Sequence, residues 1–452
     1  MPDIITYLLV MLAVICVWFI VLKRPIYEGV ILSFFVLVAI TGTWANIWEY
    51  FTETLSTSLL FSMVAFVAMS QILSKTKIID NCVMIIISLL GRIPGGAGYA
   101  AVVASGFMGA LSGSGPGNVM ATGTITIPAM KRTGFPAHLA ANVESTSSYL
   151  GNMIPPSANI VAAIGAYFAV FGENSISTGD FWMVCWGLSL WFILSRILMV
   201  FFFCLYYKVK PMNKEDVPSL KETIKKGWTG LLLPVIILLP FVLDYCLNET
   251  FLTERLGATG ASYFSKSLLI FVAGITTIIG ALISKDKEHG SIKGMVKVLA
   301  NGVKGLVPTV ATCIFGYMIG ELFADINAGE QLKDVIMSLN VGRVGLAFLI
   351  PLISCFISMV IPGSSMTVMF GPAFITMFAA VGVDPLLVAA MLPCICGVMC
   401  GITPPFALGM YAGMSIAESD LSKTMLNDLW WVAMQYLMEV VILLGWLPVL
   451  GL

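Results

Sequence analysis

Two separated stretches of the chain carry residue types that could hold a small hard cation. The first is Leu111-Ser112-Gly113-Ser114-Gly115-Pro116-Gly117-Asn118, answered downstream by Tyr149-Leu150-Gly151-Asn152-Met153-Ile154-Pro155-Pro156-Ser157. The second is Pro362-Gly363-Ser364-Ser365-Met366-Thr367, answered by Gly401-Ile402-Thr403-Pro404-Pro405. Glycine and proline stop a helix, which frees main-chain carbonyls and amides. Those carbonyls, with the hydroxyls of Ser112, Ser114, Thr146 and Ser157, form a cage suited to Na+, a hard ion that prefers oxygen. The half-helix N-termini after each break carry partial positive charge and suit a carboxylate. A lone Gly-Ser or Pro-Pro would be read as a kink that eases tight packing. The paired, repeated arrangement favours binding, with Ser114, Asn118, Asn152, Ser157, Ser365, Thr367 and Thr403 as uncharged contacts for a carboxylate, a sugar acid or an amino acid.

The elements that hold these breaks must lie in a membrane. Of 452 residues, 58% are apolar and only 11% charged, against roughly 25% charged in a soluble domain. Too few ionisable side chains remain to coat a globule, so the surplus apolar surface faces lipid. A soluble enzyme, a disordered chain and a nucleic-acid binder are excluded; the net charge of −1 lacks the basic stripe that phosphate contacts need. The expected fold class is an all-α polytopic membrane protein.

A span needs about 20 apolar residues. Candidates are 4–23, 26–45, 54–74, 181–207, 228–247, 264–284, 301–322 and 429–450. The segment 4–23 is too long for a signal h-region and lacks a small-residue cleavage site, so it reads as a retained first span. Segments 137–170 and 385–415 are interrupted by Pro-Pro pairs, and 94–130 and 344–380 by Gly/Ser/Pro clusters. Positive charge orients the chain: Lys23/Arg24, Lys75/Lys77, Lys131/Arg132, the stretch 208–226 and the stretch 285–297 are expected in the cytoplasm, with the N-terminus outside. This works only if 94–130 and 344–380 are re-entrant hairpins, each preceded by an arm too short to span, 78–91 and 330–340.

The breaks repeat. Gly113-Ser114 precedes Pro155-Pro156 much as Gly363-Ser364 precedes Pro404-Pro405, and Pro136 and Pro385, Ala140 and Ala389, and Pro155 and Pro404 are each 249 positions apart. The expected organisation is a first repeat over 1–210, a cytoplasmic linker over 211–227 and a second repeat over 228–452. An odd number of crossings per half turns the second repeat upside down. Inverted repeats with about ten spans, two hairpins and two broken helices mark secondary transporters with a binding site near the bilayer midplane.

Other reactive residues carry less. The ten cysteines lie mostly in apolar runs, and Cys394, Cys396 and Cys400 fit no zinc spacing, so packing is expected. Glu144 is expected to pair with Lys131 or Arg132, the alternative being a functional buried acid. Asp244, Glu321 and Glu439 read as interfacial, and His138 and His289 as loop residues. Without an HExxH or paired intramembrane aspartates, enzymatic chemistry has little support.

The wording Ser112-Gly113-Ser114, Asn118-Val119, Thr122-Gly123-Thr124, Thr126-Ile127-Pro128, Met130-Lys131-Arg132-Thr133-Gly134-Phe135, Ala140-Ala141, Val143-Glu144 and Pro155-Pro156 resembles the large membrane subunit of tripartite ATP-independent periplasmic (TRAP) transporters of the ion-transporter superfamily. The run Asn118–Gly134 is closest to the TAXI subtype. The resemblance covers both hairpins and both broken helices, with a looser motif in the second half. It implies an elevator in the inner membrane, driven by Na+ as coupling ion with no other cofactor. It also implies a periplasmic substrate-binding protein, a small four-helix membrane subunit, and an organic acid such as a dicarboxylate or 2-oxoglutarate as cargo. Carried over residue by residue, it implies a sodium site at Ser112, Gly113, Ser114, Gly151, Asn152, Pro155, Gly363, Ser364, Gly401, Thr403 and Pro404. Two departures stand out. The length leaves no room for a fused four-helix partner, so that subunit is expected as a separate chain or absent, and Gly401-Ile402-Thr403 replaces Asn152-Met153-Ile154, so the two cages need not match. The competing expectations are a stand-alone carboxylate carrier or exchanger of the same fold, and a passive channel or membrane-embedded enzyme.

Overall fold

The computed structural model describes residues 3–56, 58–73, 76, 78–112, 115–172, 175–213, 215–284, 291–339, 341–359, 363–404 and 407–452. Lys75, Lys77 and His289 therefore lie outside the described residues. Every regular element among the described residues is helical, as hydrocarbon surroundings require of a chain that must satisfy its own backbone.

Each half follows the same order. The first opens with Asp3–Cys16, Ile26–Thr41 and Ser58–Leu73, and continues with an arm, Ile78–Leu90. A hairpin follows, with an entering limb Gly96–Ser112 and a returning limb Gly115–Arg132. The broken helix has a leading half Ala137–Leu150 and a trailing half Ala158–Phe171, and Thr178–Tyr207 closes the set. The second half runs Leu232–Leu247, Thr253–Ile283 and Ile292–Asp325, then the arm Ala328–Leu339 and the hairpin limbs Arg343–Ser358 and Gly363–Ala380. Its broken helix starts as Pro385–Leu392 and resumes as Leu408–Ala417, before the closing helix Leu421–Leu443.

Several expected spans are not single helices. The first ends in a π-turn, Val17–Val21, and the second stops at Gly42, whose φ of 74° only glycine adopts without strain. Before the third, Ile47–Ser56 forms a separate amphipathic helix that leaves Glu49 and Glu53 exposed. Among the described residues, four helices are individually long and apolar enough to cross a bilayer, and the broken helix of the first half, bent by 42°, makes a fifth if it counts as one span. The linker is partly helical, Leu220–Gly227, and packs on the first arm.

The halves exchange contacts reciprocally. The trailing half Ala158–Phe171 packs on the returning limb Gly363–Ala380 of the other half, and Leu408–Ala417 packs on Gly115–Arg132. The alanine pairs Ala140/Ala141 and Ala389/Ala390 are all buried, and small residues there let helices approach closely. The outer face of Thr178–Tyr207 leaves Leu194, Leu198 and Phe202 more than half exposed, a row at helical spacing that suits lipid.

Candidate functional site

The first broken helix loses its ladder at Gly151. Residues Gly151–Met153 tighten into a 3-10 turn, Ile154 is extended, and Pro155 and Pro156 are joined by a cis bond. Neither proline can donate to the ladder. Ser157 then caps the trailing half: the Ile160 amide donates to its Oγ at 3.3 Å, and that Oγ donates to the Asn152 carbonyl at 2.5 Å. The whole loop is buried.

The second broken helix fails differently. Its first eight residues give way at Pro393 to a π-turn, Pro393–Val398, and then to a 3-10 turn, Met399–Gly401. The Thr403 hydroxyl donates to the Met399 carbonyl at 2.6 Å, and Thr367, on the returning limb, donates to the Gly363 carbonyl at 2.9 Å.

Hairpin and break meet backbone to backbone in both halves. A Cβ on Gly151 would clash with the Gly109 carbonyl carbon, and one on Gly363 would clash with the Gly397 Cα, both closer than real Cβ atoms approach. The two breaks also face one another, the Asn152 Nδ2 donating to the Gly397 carbonyl at 3.5 Å. Asn152 of the first break and Gly363 of the second hairpin thus both meet Gly397; Gly151, Pro155 and Ser157 lie in the first break, Ser364, Ser365 and Thr367 on the returning limb that starts at Gly363, and Gly401, Thr403 and Pro404 in the second break. Gly113, Ser114 and Pro405, together with the Ser112 side chain, lie outside the described residues.

Asn118 sits at the start of the returning limb. Its Nδ2 donates to the Ser105 carbonyl at 2.8 Å and to the Ser148 Oγ at 2.9 Å, while its buried Oδ1 has no hydrogen-bond partner. A buried acceptor with no protein donor is commonly met by a bound water or ion. Thr146 is less suited, since its hydroxyl turns back to the Asn142 carbonyl at 2.7 Å and its own carbonyl faces the Arg196 Nε at 3.4 Å.

Several expectations about charged residues are corrected. Glu144 does not pair with Lys131 or Arg132. It is fully buried and accepts from Ser105 (2.8 Å), Thr122 (2.5 Å), Thr126 (2.5 Å) and Ser148 (3.1 Å). Lys131 donates instead to the Ala417 carbonyl at 2.7 Å, and Arg132 lies 3.8 Å from Asp216. The pairing expectation used distance along the chain, whereas the helix turns Glu144 toward the hairpin. Glu439, near the end of the closing helix, is fully buried in the protein, accepting from Gln435 at 2.8 Å and Cys394 at 3.2 Å. Asp244 is likewise buried, held by Ser265 at 2.7 Å. His138 belongs to the first turn of a helix rather than to a loop.

Arg196 is the residue that sequence reasoning passed over. It is buried in the middle of Thr178–Tyr207, and its Nη2 donates to the Gln435 Oε1 at 2.8 Å. The signal was present, because it is the single charge in the apolar run 181–207, and an intramembrane charge marks function or a buried partner. Cys394, Cys396 and Cys400 are free and buried in the second break. No group of three His, Cys, Asp or Glu able to hold a metal occurs among the described residues.

With this geometry in place, residues 5–450 match the family described as the DctM component of tripartite ATP-independent periplasmic transporters. The chain belongs to this family. It is 23% identical over 86% of its length to the C4-dicarboxylate TRAP transporter large permease protein DctM of Vibrio cholerae, covering 86% of that protein. The corresponding Pseudomonas aeruginosa protein is 27% identical over 80% of this chain and 78% of its own length. The sialic acid TRAP transporter large permease protein SiaM of Vibrio cholerae is 22% identical, covering 79% of this chain and 78% of that one. Two solved structures share the fold. The Alcanivorax borkumensis YdaH transporter has a TM-score of 0.61 at 18% identity, covering 91% of this chain and 90% of that one. MtrF of Neisseria gonorrhoeae has 0.64 at 12%, covering 91% and 86%. The DctM-family chain is thus a multi-pass transporter permease and not an enzyme.

Proposed function

We propose that this permease takes up an organic carboxylate by coupling its movement to inward Na+ flow, with the two facing breaks as the shared ion and substrate region. The observation that carries this reading is the open Asn118 Oδ1 beside the first break, buried where the entering limb and the broken helix cross. It supplies an oxygen acceptor without a donor, which is what a dehydrated alkali cation needs. The uncharged lining of hydroxyls, amides and carbonyls suits a cation and a carboxylate bound together, each neutralising the other in a low-dielectric site. The half-helix N-terminus at Ala158 adds a positive end for the carboxylate.

Membership of a tripartite family supports delivery of the substrate by a periplasmic binding protein and completion of the complex by a small membrane subunit. The positive-inside pattern supports an inner-membrane protein with an outside N-terminus. Reciprocal packing of the two halves supports inverted repeats, in which hairpins and broken helices move against the remaining spans as an elevator. The relatives are named for C4-dicarboxylates, sialic acid, isethionate and 2,3-diketo-L-gulonate; all four substrate classes carry an acidic group, and a dicarboxylate or 2-oxoglutarate is the proposed cargo. The TAXI assignment rests on the wording of Asn118–Gly134 alone.

The test is uptake into proteoliposomes holding the permease, its small subunit where one is encoded, and the cognate binding protein. Uptake of a carboxylate that requires both an inward Na+ gradient and the binding protein is expected. Uptake unchanged by replacing Na+ with choline would overturn the coupling. Uptake undiminished without the binding protein would favour the stand-alone carrier instead.

A further inference from the structure

Tyr149, two residues before the first break, meets three glycines of the surrounding backbone. The residue is 4% exposed, and the three glycines, from three other parts of the fold, close around its ring. A Cβ on Gly115, at the start of the first returning limb, would run into Cε2 and Cζ. One on Gly401, in the second break, would run into Cε1 and Cζ. One on Gly409, in the trailing half beyond it, would run into Cε2. All three approaches are under 3.0 Å, closer than real Cβ atoms come to any neighbour, so the ring lies on bare backbone.

A side chain pressed against backbone on three sides has no neighbouring rotamers to absorb a shift. Close-packed interiors transmit such displacements rather than damping them. Any movement of the first break that carries Tyr149 must therefore move the backbone at Gly401 as well. The Asn152–Gly397 hydrogen bond, at 3.5 Å, is too long to do this alone.

We propose that Tyr149 is a positioning residue that couples the two broken helices, so that occupancy of one break sets the geometry of the other. The functional consequence rests on the reading that the breaks bind ion and substrate; the mechanical link does not. Cys400, buried beside Gly401, is a native reporter of the second break. Its alkylation by N-ethylmaleimide is measured by peptide mass spectrometry on the full chain in membrane vesicles, with NaCl or choline chloride at equal ionic strength.

Gly115→Ala presses on the ring from the first half. It should speed Cys400 alkylation about 5-fold or more when Tyr149 is present, and by less than about 2-fold in a Tyr149→Leu background, a coupling visible as non-additivity. Tyr149→Phe keeps the ring and should restore the full factor. Equal factors with Tyr149 in place and with Tyr149→Leu, or no acceleration with the ring intact, would overturn the link. If Gly115→Ala does not reach the membrane, Tyr149→Leu and Tyr149→Met are each compared with Tyr149→Phe; alkylation equal in all three overturns it equally. Rates insensitive to Na+ with the non-additivity preserved would sink the ion-binding reading and leave the link standing.

Discussion

Arg196 and Gln435 join the closing helices of the two halves: Nη2 of the guanidinium donates to Oε1 of the amide at 2.8 Å in a fully buried setting. Gln435 passes the connection on to Glu439 at 2.8 Å and to Cys394 of the second break at 2.6 Å. Arg196 Nε meets the Thr146 carbonyl one turn before the first break. A buried charge thus supports both broken helices from behind.

Removing that charge should be severe. Arg196→Leu leaves the buried Gln435 Oε1 and the Thr146 carbonyl without their donor and takes the nearby positive charge from the buried Glu439, a loss of about 1–3 kcal/mol. Thermal unfolding in detergent should show it, and adding Glu439→Leu should recover part of the loss. A melting temperature unchanged by Arg196→Leu would contradict this account.

Glu144 gives a sharper contrast. Glu144→Ala removes the acceptor shared by the buried hydroxyls of Ser105, Thr122, Thr126 and Ser148; Ser105, Thr122 and Thr126 keep a second acceptor, so the loss is about 1–3 kcal/mol, concentrated at Ser148 and the space left by the carboxylate. Folded yield should fall, while Arg132→Ala, which loses only an exposed contact, should change stability by less than about 0.5 kcal/mol. Similar losses for both would restore the surface ion pair expected from the sequence.

Glycine at the hairpin crossing is testable by one methyl group. Gly363→Ala places a Cβ against the Gly397 backbone and should abolish transport with protein still in the membrane. Gly274→Ala, where nothing lies within 4 Å, should hold or raise the melting temperature slightly, because alanine is the better helix former. Wild-type turnover in Gly363→Ala would remove the close crossing from the mechanism.

The ion reading has its own variants. Asn118→Ala deletes the open oxygen and should raise the Na+ concentration for half-maximal uptake by about 10-fold, near 1.4 kcal/mol of lost binding. Ser114→Ala and Thr403→Ala should shift the same curve less. Na+ activation curves that superimpose across all three variants would end the assignment.

Composition, apolar run length and the placing of glycine and proline were enough to establish a helical membrane protein, to expect two short arm helices, and to find both broken helices, the first interrupted at Pro155 and the second already from Pro393, ahead of Pro404; both hairpin tips fall outside the described residues. These are local properties: apolar run length, the missing proline donor and the glycine backbone act within a few residues of themselves. Partnership is different. Glu144 has basic neighbours 12 and 13 positions earlier but finds hydroxyls from three helices, because helix rotation and not chain distance chooses what a side chain faces. The Tyr149 ring meets Gly115, Gly401 and Gly409 from points spread across nearly three hundred residues, and a glycine announces nothing about which ring will fill the space it leaves. Only the crossing of hairpins and broken helices, fixed by close packing of small residues from both halves, brings those positions together.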